Sequence, residues 1–370
     1  MIKNITCLFA TLLILAACTG KEISEQEPLA VGFSVETGTK AGFVGEVDGN
    51  ILRATGFGVY GYVTPDSDWA TSGATTKPRF MTNQKVQYEG SDGWVYRPLK
   101  YWPNEASDKV SFFAYAPYVP LDALTDDSGI VSLPGKDDAG TPKIGYKVAT
   151  NPAFGVDLMY GVAASAHSSP AVSAGTPFID MTKMPVGDKM DFRFRHALTR
   201  LVMTVDAVSS EPVDWVNTRV VVESVALGTE PERQVLYLQG NLNLETGTWE
   251  NLSGQVGLLT DLVPAEFLFV PGNEDSVTFF TQQPTGVTGS AQSLFGPGVD
   301  GLSPAQLLYI PGPAGLLPKV PLIVTYRVIV RDLGEPVGDR TASTTSKVYL
   351  DVQFAAGETA TINLHLNAGL

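Results

Sequence analysis

Cysteine is almost absent: 370 residues contain only Cys7 and Cys18. A disulfide framework and a cysteine-rich zinc site are thereby excluded. Histidine is nearly as scarce, and none of His167, His196 and His365 has a second His or Cys at metal-ligand spacing. The chain holds no H-E-x-x-H, no Walker A loop and no G-x-S-x-G elbow, so the motif-borne forms of zinc hydrolysis, P-loop chemistry and serine hydrolysis have no basis here. An enzyme would need a triad assembled from distant residues, and nothing suggests one. No catalytic, cofactor-binding or metal-ligating residue is assigned. Basic residues number 25 against 39 acidic, a net charge of -14, without a Lys/Arg-rich run. So acidic a chain repels phosphate backbones, which removes nucleic acid from the partners. Amphipathic windows of helical length with caps are also missing.

The one long apolar run stands at the start. Lys3 precedes "CLFATLLIL", which is too short to span a bilayer and ends in "LAAC" at Cys18. The order of charge, apolar run, small residues and cysteine looks like a bacterial lipobox; the alternative is an ordinary secretion signal cut after Ala16 or Ala17. Residues 1–17 are expected to be removed and Cys18 to carry lipid. Removal takes one Lys and no acid, leaving 24 basic against 39 acidic residues, or -15, and no disulfide. Each buried acyl methylene contributes about 0.8 kcal/mol, so several chains on one cysteine anchor a protein nearly permanently. Residues 18–28, with polar "TGKEISEQEP", read as a tether.

Glycine and proline are plentiful, 37 and 25, and punctuate strands rather than helices. Period-two patterns begin at "LAVGFSVE", with Leu29, Val31, Phe33 and Val35 on one side. They recur in "KVSFFAYAPY", where Val110, Phe112 and Ala114 alternate with Ser111, Phe113 and Tyr115. "KVPLIVTYRVIVR" aligns Val320, Leu322, Val324, Tyr326, Val328 and Val330, and "KVYLDVQF" aligns Val348, Leu350, Val352 and Phe354. "TINLHLN" sets Ile362, Leu364 and Leu366 against Thr361, Asn363 and His365. The expected fold is all-β: two tandem antiparallel β-sandwich domains of transthyretin-like or Greek-key type, residues 29–188 and 189–370.

Three features invite a chemical reading. "GFGVYG", residues 56–61, spells G-x-G-x-x-G, but the glycines lie inside a strand pattern, "TPDSD" follows in place of a helix, and no carboxylate stands about 20 residues on. It reads as a strand. The acidic turn pairs Asp66/Asp68, Asp126/Asp127 and Asp137/Asp138 lack the ligand spacing of an EF-hand and read as solvated turns. Trp94, Tyr96, Tyr101 and Trp102 form either a sugar-stacking platform or, in a β-sandwich, caps on the core.

Taken in order, the lipobox, "AVGFSVE" with "TKA", "ATGFGVYGYV", "WVYRPLKYWP", "KVSFFAYAPY", "VDLMYGVA", "FRFRHALTRLVMTV" and "GNLNLETGTWEN" resemble the fimbrillin family, the pilin-like lipoproteins of type V pili in Gram-negative anaerobes. Lys21 and Glu22 behind the lipobox resemble a surface-export signal of such lipoproteins. The resemblance covers the chain to about residue 250 and implies a fimbrial subunit at the outer membrane and cell surface, held there by the lipid on Cys18, with other pilin subunits as partners and host or bacterial surface ligands as adhesion targets. It also implies that an arginine- or lysine-specific protease removes the first strand, cutting after Lys40 in "TGTKAG" or Arg53 in "ILRATG", both in flexible Gly/Thr-rich context. A strand from the next subunit then fills the groove by strand addition. The strand lost is residues 29–36, and burial of Leu29, Val31, Phe33 and Val35 makes the exchange worth about 6–12 kcal/mol gross. Ile362, Leu364 and Leu366 mark the candidate donor strand; with nothing beyond "TINLHLN" to swing out except this strand itself, a tip or accessory subunit is expected. The alternative is a non-polymerising surface lipoprotein that binds glycan or a host ligand and needs no cut.

Overall fold

Period-two alternation becomes strand along most of the chain, as its β-branched and aromatic segments favour. The computed structural model describes residues 28–36, 49–168, 170–228, 233, 235–272, 274, 278–298, 304–313, 319–331, 339–352 and 354–369. Cys18 and Lys40 lie outside the described residues. The first strands are β1 (Phe33–Val35), β2 (Phe57–Thr64), β3 (Met81–Tyr88), β4 (Trp94–Val95), β5 (Lys109–Ala116), β6 (Gly129–Ser132), β7 (Lys143–Lys147) and β8 (Met159–Ala163). They are followed by β9 (His167–Ser168), β10 (Ala171–Val172), β11 (Phe178–Met181) and β12 (Met190–His196). The rest are β13 (Thr199–Val208), β14 (Thr218–Leu227), β15 (Leu236–Asn243), β16 (Trp249–Gln255), β17 (Gln292–Ser293), β18 (Leu307–Pro311), β19 (Lys319–Val330), β20 (Arg340–Asp351) and β21 (Thr359–Asn367). Three short α-helices are described: α1 (Gly49–Thr55), α2 (Trp69–Ser72) and α3 (Phe279–Gln282). None is long and apolar enough to cross a membrane.

One sheet runs β1-β12-β8-β5-β2-β3-β4, with β11 on β5. It curls until its two ends meet, because Ala30 bridges to Tyr101 just past β4. The N-terminal half is therefore a near-barrel rather than two facing sheets. Phe57, Val59, Phe112, Ala114, Phe178 and Phe192 fill it. The central strands are buried on both faces: Tyr60, Tyr62, Phe113 and Tyr115 point outward into a second core with Ile144, Tyr146, Leu242 and Ile310. The alternation in "FGVYGYV" and "KVSFFAYA" thus separates two cores, not core from solvent.

A second sheet runs β17-β13-β18-β15-β7-β6, with β16 on β15 and β21 on β13, and a third runs β14-β19-β20. They face each other across Leu201, Met203, Val205, Val220, Val222, Leu322, Val324, Val328 and Ile362, a sandwich core. Among the described residues strand pairing is mainly antiparallel, the parallel ladders being β1 on β12 and β21 on β13. Hydrogen bonding crosses residue 188 twice over: β12 belongs to the near-barrel, while β7 pairs with β15. The expected faces of β19 and β21 are the buried ones. On β20 the face is only partly covered: Leu350 and Val352 pack on the core, but Val348 is 54% exposed because β20 is the sheet's edge.

Candidate functional site

The segment at residues 29–36 closes the near-barrel, and its residue pattern explains how. Val31 and Phe33 are buried in the near-barrel core, while Leu29 and Val35 pack against it partly buried. Phe33 sits among three aromatic rings, at centroid distances of 5.4 Å from Tyr96, 5.8 Å from Phe112 and 6.0 Å from Phe192. Of the four inward residues only these two are fully buried, so the firm part of the gain is about 3–6 kcal/mol, half the sequence-based figure.

The backbone of this segment is shared between two neighbours. On one side Val31 N donates to Lys100 O at 2.8 Å and Trp102 N to Leu29 O at 3.0 Å. On the other, Met190 N donates to Gly32 O and Glu36 N to Phe192 O, both at 2.9 Å, framing a parallel ladder of three residue pairs, Phe33 with Met190 to Val35 with Phe192. Tyr96 Oη donates to Val31 O at 2.8 Å. Ser34 Oγ donates to Asp191 Oδ1 at 3.0 Å, and Arg193 Nε donates to Glu36 Oε2. That guanidinium bond holds the Glu36 carboxyl below its ordinary value of 4.5. Without residues 29–36 the near-barrel would carry a slot between β12 and residues 100–102, floored by Tyr96, Phe112 and Phe192, with unpaired backbone groups on both rims.

Arg53 follows in α1 and is exposed, its guanidinium carbon 4.8 Å from the Tyr88 ring centroid. The sequence led us to expect a flexible loop there; the structure has a seven-residue helix whose Leu52 is buried in the near-barrel core. So short a helix has little intrinsic stability; Gly56, at φ +70°, ends it and donates its N–H to Leu52 O at 2.8 Å. Cleavage after Arg53 requires it to unwind.

The candidate donor residues lie in β21, which pairs with β13 through nine consecutive residue pairs, Arg200 with Thr359 to Val208 with Asn367. Ile362 and Leu366 are buried and Leu364 is partly so. Across the outer face Thr204 Oγ1 donates to Asn363 Oδ1 at 2.7 Å, and His365 Nδ1 is 2.6 Å from Asp206 Oδ1.

The remaining features take structural roles. Gly58 faces Tyr115 so closely that a Cβ would stand 2.3 Å from its ring, and a Cβ on Gly56 (φ +70°) would stand 2.5 Å from Val86 O. These glycines admit aromatic and backbone neighbours, not a phosphate. Asp68 caps α2, accepting from Thr71 N at 2.9 Å, and Asp137 pairs with Arg79 at 2.8 Å. Among the described residues no group of three His, Cys, Asp or Glu is placed to hold a metal ion. Of the four aromatics at residues 94–102, Tyr96 and Trp102 are core, Trp94 packs 5.2 Å from Phe57, and Tyr101 is largely exposed. Sequence reading missed the pocket for Phe33. The density of rings in "WVYRPLKYWP" and the alternation of "DFRFRH" were its signals, but the partner strand was not.

A family profile described as Fimbrillin-like matches residues 45–294, which is 250 of the 370 residues. Among solved structures the chain is similar to a fimbrial protein from Bacteroides vulgatus: 22% identity, TM-score 0.59, covering 91% of this chain and 95% of that one. At that identity the likeness is one of fold. Weaker similarity extends to candidate cell-adhesion proteins from Bacteroides uniformis (12% identity, TM-score 0.35, covering 86% and 98%) and Parabacteroides distasonis (8%, 0.40, covering 92% and 88%). No curated protein matches.

Proposed function

The chain belongs to the fimbrillin-like family, and on that premise we propose that it is a fimbrial subunit whose residues 29–36 form a removable closing strand. Family membership implies a structural adhesion protein rather than an enzyme, at the cell surface and in contact with other fimbrial components. The finer account is our reading. Export proceeds as a lipoprotein anchored to the outer membrane through Cys18. A trypsin-like protease cuts after Lys40 or Arg53, the first strand leaves, and a strand from a neighbouring subunit enters the slot. The two units, residues 29–188 and 189–370, act as acceptor and body of the subunit, with β12 of the second unit supplying one rim of the acceptor slot, and a transthyretin-like or Greek-key ancestry is part of the proposal.

One observation carries this reading. The strand that closes the near-barrel is held by a three-pair ladder, two backbone bonds to residues 100–102 and the buried Val31 and Phe33, and an exposed basic residue follows it in α1. By contrast β21 is tied to β13 along nine pairs, which supports a subunit that accepts a strand more readily than it donates one, as a tip or accessory subunit would.

Digestion of the lipid-free chain from Thr19 with an arginine/lysine-specific protease tests it. The expected result is one clean cut after Lys40 or Arg53 with loss of residues 29–36, read by intact mass and size exclusion. Ladders on an unboiled gel then mean that β21 also donates; an opened monomer means an acceptor awaiting its partner. If both sites resist, or the chain is shredded, strand exchange has no trigger and the glycan- or host-ligand-binding lipoprotein replaces it.

A further inference from the structure

We infer that the outer face of the β14–β19 pair is a binding site for an acidic saccharide, with Arg219 and Arg331 receiving the sugar's oxyanion beside Phe280. Register places the two arginines together: Arg219 pairs with Ile329, and Arg331 N donates to Asn217 O at 2.9 Å one step along the same face. Their guanidinium carbons lie 4.3 Å and 4.5 Å from the centroid of one ring, that of Phe280 in α3. A third arginine on this face shows how the protein treats a cation it means to neutralise. Arg327 lies 4.3 Å over the Phe269 ring and is paired with Glu223 at 2.6 Å and Glu274 at 2.8 Å.

Arg219 and Arg331 have no such carboxylate among the described residues. The Arg219 Nη1 group donates only to main-chain carbonyls, Trp215 O at 3.1 Å and Thr218 O at 3.2 Å, and its Nε is buried with no acceptor. Burial, and then the charge of Arg331, hold Arg219 below its ordinary pKa, as expected of cations crowded together without counter-charge. Among the described residues the neighbouring acids are otherwise engaged: Asp339 Oδ2 accepts from Phe280 N at 3.0 Å, and Asp214 accepts from Val216 N and Asn217 Nδ2.

The chemistry of the pair selects the ligand. A guanidinium fork matches the planar oxygens of a carboxylate and also takes a sulfate. A chain with net charge -14 repels a dense polyanion, so the site suits sparse charge, about one oxyanion per sugar unit. Trp215, whose carbonyl accepts from Arg219, borders the pair; its indole lies against Gly289 and is 36% exposed, an aromatic surface at the rim of the kind that packs against the apolar face of a sugar ring. The site is independent of strand exchange, since β14 and β19 belong to the sandwich and remain when residues 29–36 leave.

Titration of the full lipid-free chain with three probes tests the site: a hyaluronan hexasaccharide for the carboxylate, a sparsely sulfated, carboxylate-free keratan sulfate oligosaccharide for the sulfate, and a neutral dextran oligosaccharide. At least one anionic probe is expected to bind in preference to the neutral one, and Arg331→Gln to weaken it by about tenfold or more. Arg331→Gln, past the end of β19, is the principal variant, and an unchanged unfolding midpoint certifies its fold; Arg219→Gln, more deeply set, is the second. Arg97→Gln removes an exposed cation from the loop after β4 of the near-barrel and is expected to leave affinity unchanged. The inference is overturned if neither anionic probe exceeds the neutral one, or if Arg331→Gln keeps full affinity. It is also overturned if a polyglutamate peptide binds the Arg pair more tightly than either saccharide, which would make the partner an acidic protein.

Discussion

The two parallel edge strands of this molecule answer the same structural problem differently. Both β1 and β21 lie beside consecutive strands, β12 and β13, and both bury alternate side chains. However, β1 is held over a short segment, by three ladder pairs, two backbone bonds to residues 100–102 and the buried Val31 and Phe33, whereas β21 is held at nine pairs with its apolar residues spread along the sandwich core. A hold confined to a short terminal segment opens as one small unit; a hold spread along nine pairs opens only with the sheet around it. The N-terminal edge is built as a closure, the C-terminal edge as part of the wall.

The largest effects that can break this comparison come from the anchors. Phe33→Ala is expected to cost about 3–5 kcal/mol and Ile362→Ala about 2–5 kcal/mol, with different readouts. Loss of Phe33 is expected to strip hydrogen-exchange protection from residues 31–36 and 190–192 while the global unfolding midpoint moves little. Loss of Ile362 is expected to lower the global midpoint. Equal shifts in that midpoint would erase the distinction. Among the half-buried residues, Val35→Ala and Leu364→Ala are each expected to cost about 1–2 kcal/mol, again local for the first and global for the second by denaturant titration.

Much of this contrast was legible in the sequence, and some was not. Alternation in "LAVGFSVE" and "TINLHLN" identified the inward residues of both edges, because period two is a local property. The length and partner of each ladder were not legible: pairing of β1 with β12 joins residues about 157 positions apart, as Ser34 with Asp191 shows, and no local signal encodes it. For the same reason the sequence suggested four equal anchors where the near-barrel fully buries only Val31 and Phe33. The helix around Arg53 escaped notice because seven residues hold less than two apolar turns. The Arg219–Phe280–Arg331 cluster was invisible, since it depends on α3 folding onto a sheet face.

The smallest effect is one of pH. Glu36 is bonded to Arg193, which lowers its folded pKa, so its contribution is present above the ordinary value of 4.5 and is lost as pH falls through the lower folded value. Exchange protection of residues 32–36 is therefore expected to weaken modestly below pH 4.5, and Arg193→Gln to remove that dependence. Protection along β21 is not expected to follow Glu36.

The most direct measurement removes the closing strand and offers it back. A chain beginning at Ala54, the product of a cut after Arg53, would be examined by hydrogen-exchange mass spectrometry with and without a synthetic peptide of residues 29–36. The account predicts a folded chain in which residues 190–196 and 100–102 exchange fast, residues 199–208 stay protected, and the peptide restores protection to the slot. Joint loss of protection at 190–196 and 199–208, or a peptide without effect, would contradict it.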